Sequence, residues 1–221
     1  MVILQQHLGF TDPSRLHPFG GVAKRLVDIA IAIPALILAA PMLVLVACAV
    51  KLHDGGPILF LQPRVGLDGG TFTLVKFRTM APDSPARLAQ LLREDPAAAR
   101  EWAMTQKLAN DPRVTRLGRL LRQSSLDELP QLLNVLLGHM SIVGPRPMLV
   151  DQPASYGPVF DAYCTARPGI TGLWQVSGRS TTSFRRRSEL DATYLKHWSM
   201  RQDLALLVRT VKVVLWHEGA C

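Results

Sequence analysis

From Ile29 to Val50 the chain carries no charged side chain, and Pro34 and Pro41 lie inside that run. No other stretch limits the fold as much. At about 1.5 Å of rise per residue, a straight helix of this length would just cross a bilayer core of about 30 Å. Each proline removes a helix hydrogen bond and bends the axis. Both flanks are basic, with Lys24 and Arg25 before the run and Lys51 after it. Basic residues keep their end of a span in the cytoplasm, so here both ends favour the same side. The sequence therefore predicts a re-entrant helix-break-helix over 24–52, bent at Pro34 and Pro41; a straight single span is the alternative. Leu45–Cys48 reads L-V-A-C, the form of a lipoprotein cleavage box, but its leader is long for a signal peptide. Residues 1–23 read as a loosely held leader and 53–221 as the domain that carries the chemistry.

Apolar residues make up 48% of the chain, yet its net charge is +8. That combination points to anionic lipid and phosphorylated substrates. Nucleic acid is disfavoured, because the basic residues lack interleaved stacking aromatics. Cys48, Cys164 and Cys221 are far apart and odd in number, as free thiols in a reducing compartment would be. The histidines form no metal-binding pair.

Pro57–Met80 predicts a β-hairpin turning at Asp68-Gly69-Gly70. Lys76 and Arg78, two residues apart, would share one face of it. Helices are expected from Ser84-Pro85 and from Asp95-Pro96, the second carrying Trp102. A break follows at Asn110–Pro112. Arg113, Arg116, Arg119 and Arg122 come next at three-residue spacing, a solvated or lipid-facing set in which Arg122 alone adjoins the acidic residues. Arg185–Arg187 is expected to be solvated too. Asp203–Trp216 predicts an amphipathic helix that packs on the core or lies in the membrane interface.

The acidic residues are Asp127 and Glu128, in S-L-D-E-L-P-Q-L-L-N. One reading is mechanical: Asp127 caps a helix, with Pro130 in its first turn. The other is chemical. Adjacent carboxylates do not face each other across a substrate, but they suit one nucleophile and one oxygen ligand for Mg²⁺. Downstream, S-I-V-G-P-R-P fixes Arg146 between two prolines, a stiff mount for contact with phosphate. Ala166–Ser180 supplies Arg167, glycines and hydroxyls in a loop able to cradle phosphate. No Walker or G-x-G-x-x-G pattern is present.

K-R-L-V-D, K-F-R-T-M, the long run from Ser125 through S-I-V-G-P-R-P, and R-P-G-I-T-G-L-W-Q-V-S-G-R-S together resemble the bacterial sugar transferase family, the small monotopic phosphoglycosyl transferases. The resemblance implies a mainly α fold with a small β-hairpin (α+β), an N-terminal re-entrant helix and amphipathic interfacial helices. It implies transfer of hexose 1-phosphate, galactose or glucose, from a UDP-hexose to undecaprenyl phosphate at the cytoplasmic face of the bacterial plasma membrane. UMP would be released and exopolysaccharide or a related glycan begun. Asp127 matches the family nucleophile, and Glu128, with Asp127 beside it, the Mg²⁺ ligand. Arg122, Arg146, Lys76, Arg78 and Arg167 match basic residues for the substrate phosphates. Two departures stand out. Ala40 replaces the family serine before Pro41, and His139 stands where an acidic residue is common. The pattern is that of the short catalytic form, with membrane lipids as further partners and room for a homo-oligomer. The rival reading is a non-enzymatic basic scaffold at the membrane surface.

Overall fold

The computed structural model describes residues 19–105, 108, 110–177 and 184–215. The expected leader lies almost wholly outside these, as do Gly178–Ser180 of the second glycine-rich loop.

Helix α1, Gly21–Asp54, is a single helix of 34 residues that runs unbroken through Pro34 and Pro41. The prolines at which a break was expected lie inside this one helical element, which has glycines at both caps. Most of its middle faces outward. Only 11% of its most apolar 18-residue stretch is buried, and Ile37, Leu38 and Leu45 are more than half exposed. Each buried leucine is worth about 1.5–3 kcal/mol over an exposed one, so such a surface is costly in water and compatible with lipid.

Both ends of α1 are fixed to the rest of the molecule. At the start, Lys24 Nζ pairs with Asp203, Arg25 donates to the carbonyls of Val135 and Leu136, and Asp28 accepts from Ser141 Oγ and the Ile142 amide. K-R-L-V-D is thus an anchor in which each charged side chain holds a different element. At the far end, Val46 and Val50 pack on Phe77 and Leu121, and Asp54 forms an ion pair with Arg78.

The predicted hairpin is present: β1, Leu59–Val65, runs antiparallel to β2, Thr71–Phe77, with Leu59 opposite Phe77. Asp68 takes φ 56° in its turn. Two pairings were not anticipated. A short β4, Met148–Leu149, adds to β1, and β3, Ser141–Val143, pairs in parallel with β5, Gly169–Thr171. The stretch read as a phosphate-cradling loop therefore contributes a strand, as does the start of S-I-V-G-P-R-P. The β3–β5 backbones lie so close that a Cβ on Gly169 would sit 2.1 Å from the Gly144 nitrogen.

Helices α2, Ser84–Glu94, and α3, Pro96–Thr105, follow β2, and Asp95 caps the second by accepting from the amides of Ala97 and Ala98. Helix α4 is Arg116–Gln123; Thr115 caps it by accepting from the Gly118 amide. A single 3₁₀ turn, Leu126–Glu128, leads to α5, Gln131–Leu136. Short helices α6, Pro153–Tyr156, and α7, Val159–Cys164, precede α8, Phe184–Lys196, and α9, Met200–Leu215. The main core gathers Ala32 of α1, Leu74, Leu132, Val135, Ile142, Tyr194 and Leu206. On α9, Leu206 is buried while Leu204, Val208 and Val211 form an exposed stripe.

Candidate active site

Asp127 and Glu128 occupy the 3₁₀ turn, which Ser125 enters with φ 57°, a left-handed conformation uncommon outside glycine. Pro130, not Asp127, takes the cap position of α5, and no side chain caps that end. The mechanical reading of Asp127 as a helix cap is thereby overturned.

Asp127 is buried, and burial pushes its carboxyl up to about 6. Lys76 and Arg122 oppose that rise, while Glu128 adds to it. A carboxylate so placed is weakly solvated and more basic than usual, yet mostly ionised at pH 7. Glu128 is more open, its side chain 34% exposed, and accepts from Lys76 Nζ at 2.6 Å. Lys76 reaches it from β2, and Arg122 comes from α4, where its Nε donates to Thr79 Oγ1 at 2.9 Å. Close packing sets that approach: a Cβ on Gly118 would meet the Thr79 carbonyl oxygen at 1.9 Å.

Beside the turn is an open pocket, lined among others by Arg64, Lys76, Glu128, Gln131 and Arg146. Arg146 is held from three directions. Pro145 and Pro147 fix its backbone. Its amide donates to Asp191, which burial raises to about 7 and to which Tyr156 also donates. Its guanidinium stacks on Trp174, 4.6 Å from the ring centre. Arg187 stacks on the same ring at 4.5 Å. Arg187 is therefore half-buried rather than solvated, whereas Arg185 and Arg186 remain exposed beside Glu189.

Of the candidate residues, Lys76, Arg122 and Glu128 surround Asp127, and Lys76, Glu128 and Arg146 line the pocket beside it. Arg78 and Arg167 do not join them. Arg78 is taken up by Asp54 and by the carbonyls of Pro57 and Met80, and its job is to tie α1 to the hairpin. Arg167 donates to the Gly138 carbonyl at 2.8 Å, with Arg25 and Asp28 as its charged neighbours. Arg64 went unnoticed in the sequence. It lies on β1 in Q-P-R-V-G, donating to the Pro147 carbonyl and to Gln62. Its position across the hairpin from Phe72, two residues before Leu74, was the available signal.

Among the described residues no group of three or more His, Cys, Asp or Glu side chains clusters. A divalent cation here would take one or two carboxylate oxygens and complete its shell with substrate phosphate and water, as Mg²⁺ commonly does. The partly exposed Glu128, next to Asp127 and facing a pocket of basic residues, fits that donor set.

The Bacterial sugar transferase family model matches residues 19–217. The exopolysaccharide production protein ExoY of Sinorhizobium fredii is 45% identical over 209 residues, covering 95% of this chain and 92% of that protein. The undecaprenyl-phosphate galactose phosphotransferase of Salmonella typhimurium is 47% identical over 197 residues, 89% of this chain but 41% of the longer relative. The UDP-glucose:undecaprenyl-phosphate glucose-1-phosphate transferase of Caulobacter vibrioides is 42% identical, with 89% and 71% covered. The chain so spans nearly all of some relatives and less than half of others. With its motifs, its convergent acidic and basic side chains and this match along almost its whole length, the chain belongs to the bacterial sugar transferase family and is a transferase.

Proposed function

We propose that the protein transfers hexose 1-phosphate, galactose or glucose, from a UDP-sugar to undecaprenyl phosphate at the cytoplasmic face of the plasma membrane, beginning an exopolysaccharide or related glycan. The observation that carries this is Asp127, a buried carboxylate raised to about 6 between Lys76 and Arg122, beside a pocket bearing Arg64 and Arg146. Relatives named for galactose and glucose 1-phosphate transfer to undecaprenyl phosphate support the donor and acceptor.

An Asp127 carboxylate oxygen attacks the β-phosphorus of the donor. The bond from that phosphorus to the bridging oxygen breaks, and UMP leaves with the electron pair. The aspartyl phosphosugar is then attacked at phosphorus by an oxygen of undecaprenyl phosphate, which forms the diphosphate product and frees the carboxylate. Two displacements at one carboxylate give ping-pong kinetics. Lys76, Arg122 and Arg146 hold the phosphoryl oxygens and stabilise the charge that builds on them. Glu128 would hold Mg²⁺, which supplies further neutralisation of the diphosphate when bound. The test is UMP release with UDP-glucose, UDP-galactose and their N-acetyl forms, with and without polyprenyl phosphate. One hexose donor is expected to give a single enzyme equivalent of UMP without acceptor and continued release with it, and silence with all four would refute the reaction.

The same reading makes α1 re-entrant. Lys24, Arg25 and Asp28 at one end and Asp54 at the other bind the same catalytic domain. A crossing that parted those ends across a bilayer would have to break one set. Single cysteines replacing the exposed Val22 and Leu52, in a cysteine-free background, are expected to react with an impermeant maleimide from the cytoplasmic side alone. Labelling of the two from opposite sides would establish a span.

A further inference from the structure

Two donor atoms of residues that line the pocket, Arg64 Nε and Gln131 Nε2, are buried and have no hydrogen-bond partner among the described residues. Gln131 is 3% exposed, in the first turn of α5, three residues beyond Glu128 and so on the same side of the chain. Arg64 stands between the charges of Glu128 and Arg146, and burial with Arg146 nearby lowers it to about 10. An unsatisfied buried donor carries a desolvation cost that folding alone does not explain. Here both donors belong to residues that line one pocket, beside Arg146 and Lys76, with Glu128 the single carboxylate among the lining residues. An anionic oxygen would satisfy both donors and suit the basic lining.

We propose that Arg64 Nε and Gln131 Nε2 are the binding site for the phosphate that leaves with the nucleotide. The inference rests on the reaction proposed above for the choice of ligand. Glu128 faces the pocket where these donors lie, whereas Asp127 is buried in the turn behind it. The phosphorus under attack lies against Asp127, which leaves the nucleotide's own phosphate for the donors further along. Neither residue reacts; they grip the leaving group in donor and product alike. Removing one should therefore raise KM for the UDP-sugar and weaken UMP binding, with kcat changed less.

UMP affinity would be measured by calorimetry on the full chain in lipid nanodiscs, for the wild type, Gln131→Met and Arg64→Lys. Gln131→Met keeps the shape and removes the donor. It should bind UMP roughly tenfold more weakly, with no loss in Tm, since the amide nitrogen bonds to nothing in the folded chain. Arg64→Lys keeps the charge and removes Nε, and should weaken UMP by ten- to a hundredfold. Arg64 also ties β1 to Pro147 and Gln62, so a misfolded Arg64→Lys would leave the decision to Gln131→Met. UMP affinity within twofold of wild type in Gln131→Met, or a wild type that binds no UMP, would overturn the site. UMP bound by the wild type and lost in Gln131→Met, in a protein that turns over no UDP-sugar, would support the site and refute the reaction.

Discussion

Asp127→Asn is expected to abolish UMP release and the trapped phosphosugar adduct, and at the same time to raise the melting temperature at pH 7 and above. The two effects have one cause. The carboxyl is raised from 3.8 to about 6, chiefly by burial. Below pH 3.8 it is protonated in both the folded and the unfolded chain, and burial costs little. Between pH 3.8 and about 6 the unfolded chain gives up this proton while the folded chain keeps it, so stability falls as pH rises. Above about 6 the cost is complete, on the order of 2–3 kcal/mol by the usual 1.36 kcal/mol per unit. Asparagine has nothing to ionise and escapes it. Activity has the opposite dependence: in the proposed mechanism the nucleophile is the anion, so donor consumption should fall about tenfold per pH unit below pH 6. Mass spectrometry of quenched, donor-loaded protein and a melting curve at pH 8 read the two effects. An active Asp127→Asn protein would end the proposed mechanism, and a lower melting temperature at pH 8 would refute the account of its burial.

Asp203→Leu should be the most destabilising single change at the junction of α1 with the domain. Asp203 is buried and accepts from Lys24 Nζ, Tyr194 Oη at 2.8 Å and Trp198 Nε1 at 3.1 Å. Without it the Lys24 ammonium stays in a site where its side chain is 10% exposed, with its counter-charge gone. Breaking a buried pair from one side costs about 3–5 kcal/mol, because the remaining charge is uncompensated. Replacing both partners by apolar residues costs far less, so Lys24→Met with Asp203→Leu should recover much of the lost melting temperature. A double variant no more stable than Asp203→Leu alone would show that the charge pair is not what holds this junction. Because α9 packs on β3 and β5, and Gly169 of β5 lines the pocket, the single variant should also raise KM for the donor.

Local chemistry was legible in the sequence wherever neighbours in the chain decide the outcome. The uncharged run made α1, Asp68-Gly69-Gly70 made the hairpin turn, and two prolines made Arg146 stiff. The acidic residues were found from their oddity in a basic chain. What the sequence missed depended on partners far away. Arg167 and Arg146 look alike as basic residues in proline- and glycine-rich stretches. One is spent on the Gly138 carbonyl and the other stacks on Trp174 above the pocket. Arg78 matched a phosphate-binding motif but is committed to Asp54, at the far end of α1. Arg187 read as a solvated charge because the ring that it covers lies outside its own helix.

The sequence by itself determined that a long apolar helix precedes a basic domain with a carboxylate pair at its centre. Hydrophobic runs, turns and charge contrast act over a few residues and survive in any fold of the chain. Only the tertiary structure decided which cations face that pair and which serve as struts, and left Gln131 and Arg64, both on the pocket lining, with buried donors that meet no partner among the described residues. A cation's role depends on which acceptor reaches it first in the packed interior, and packing brings together groups that chain order keeps apart.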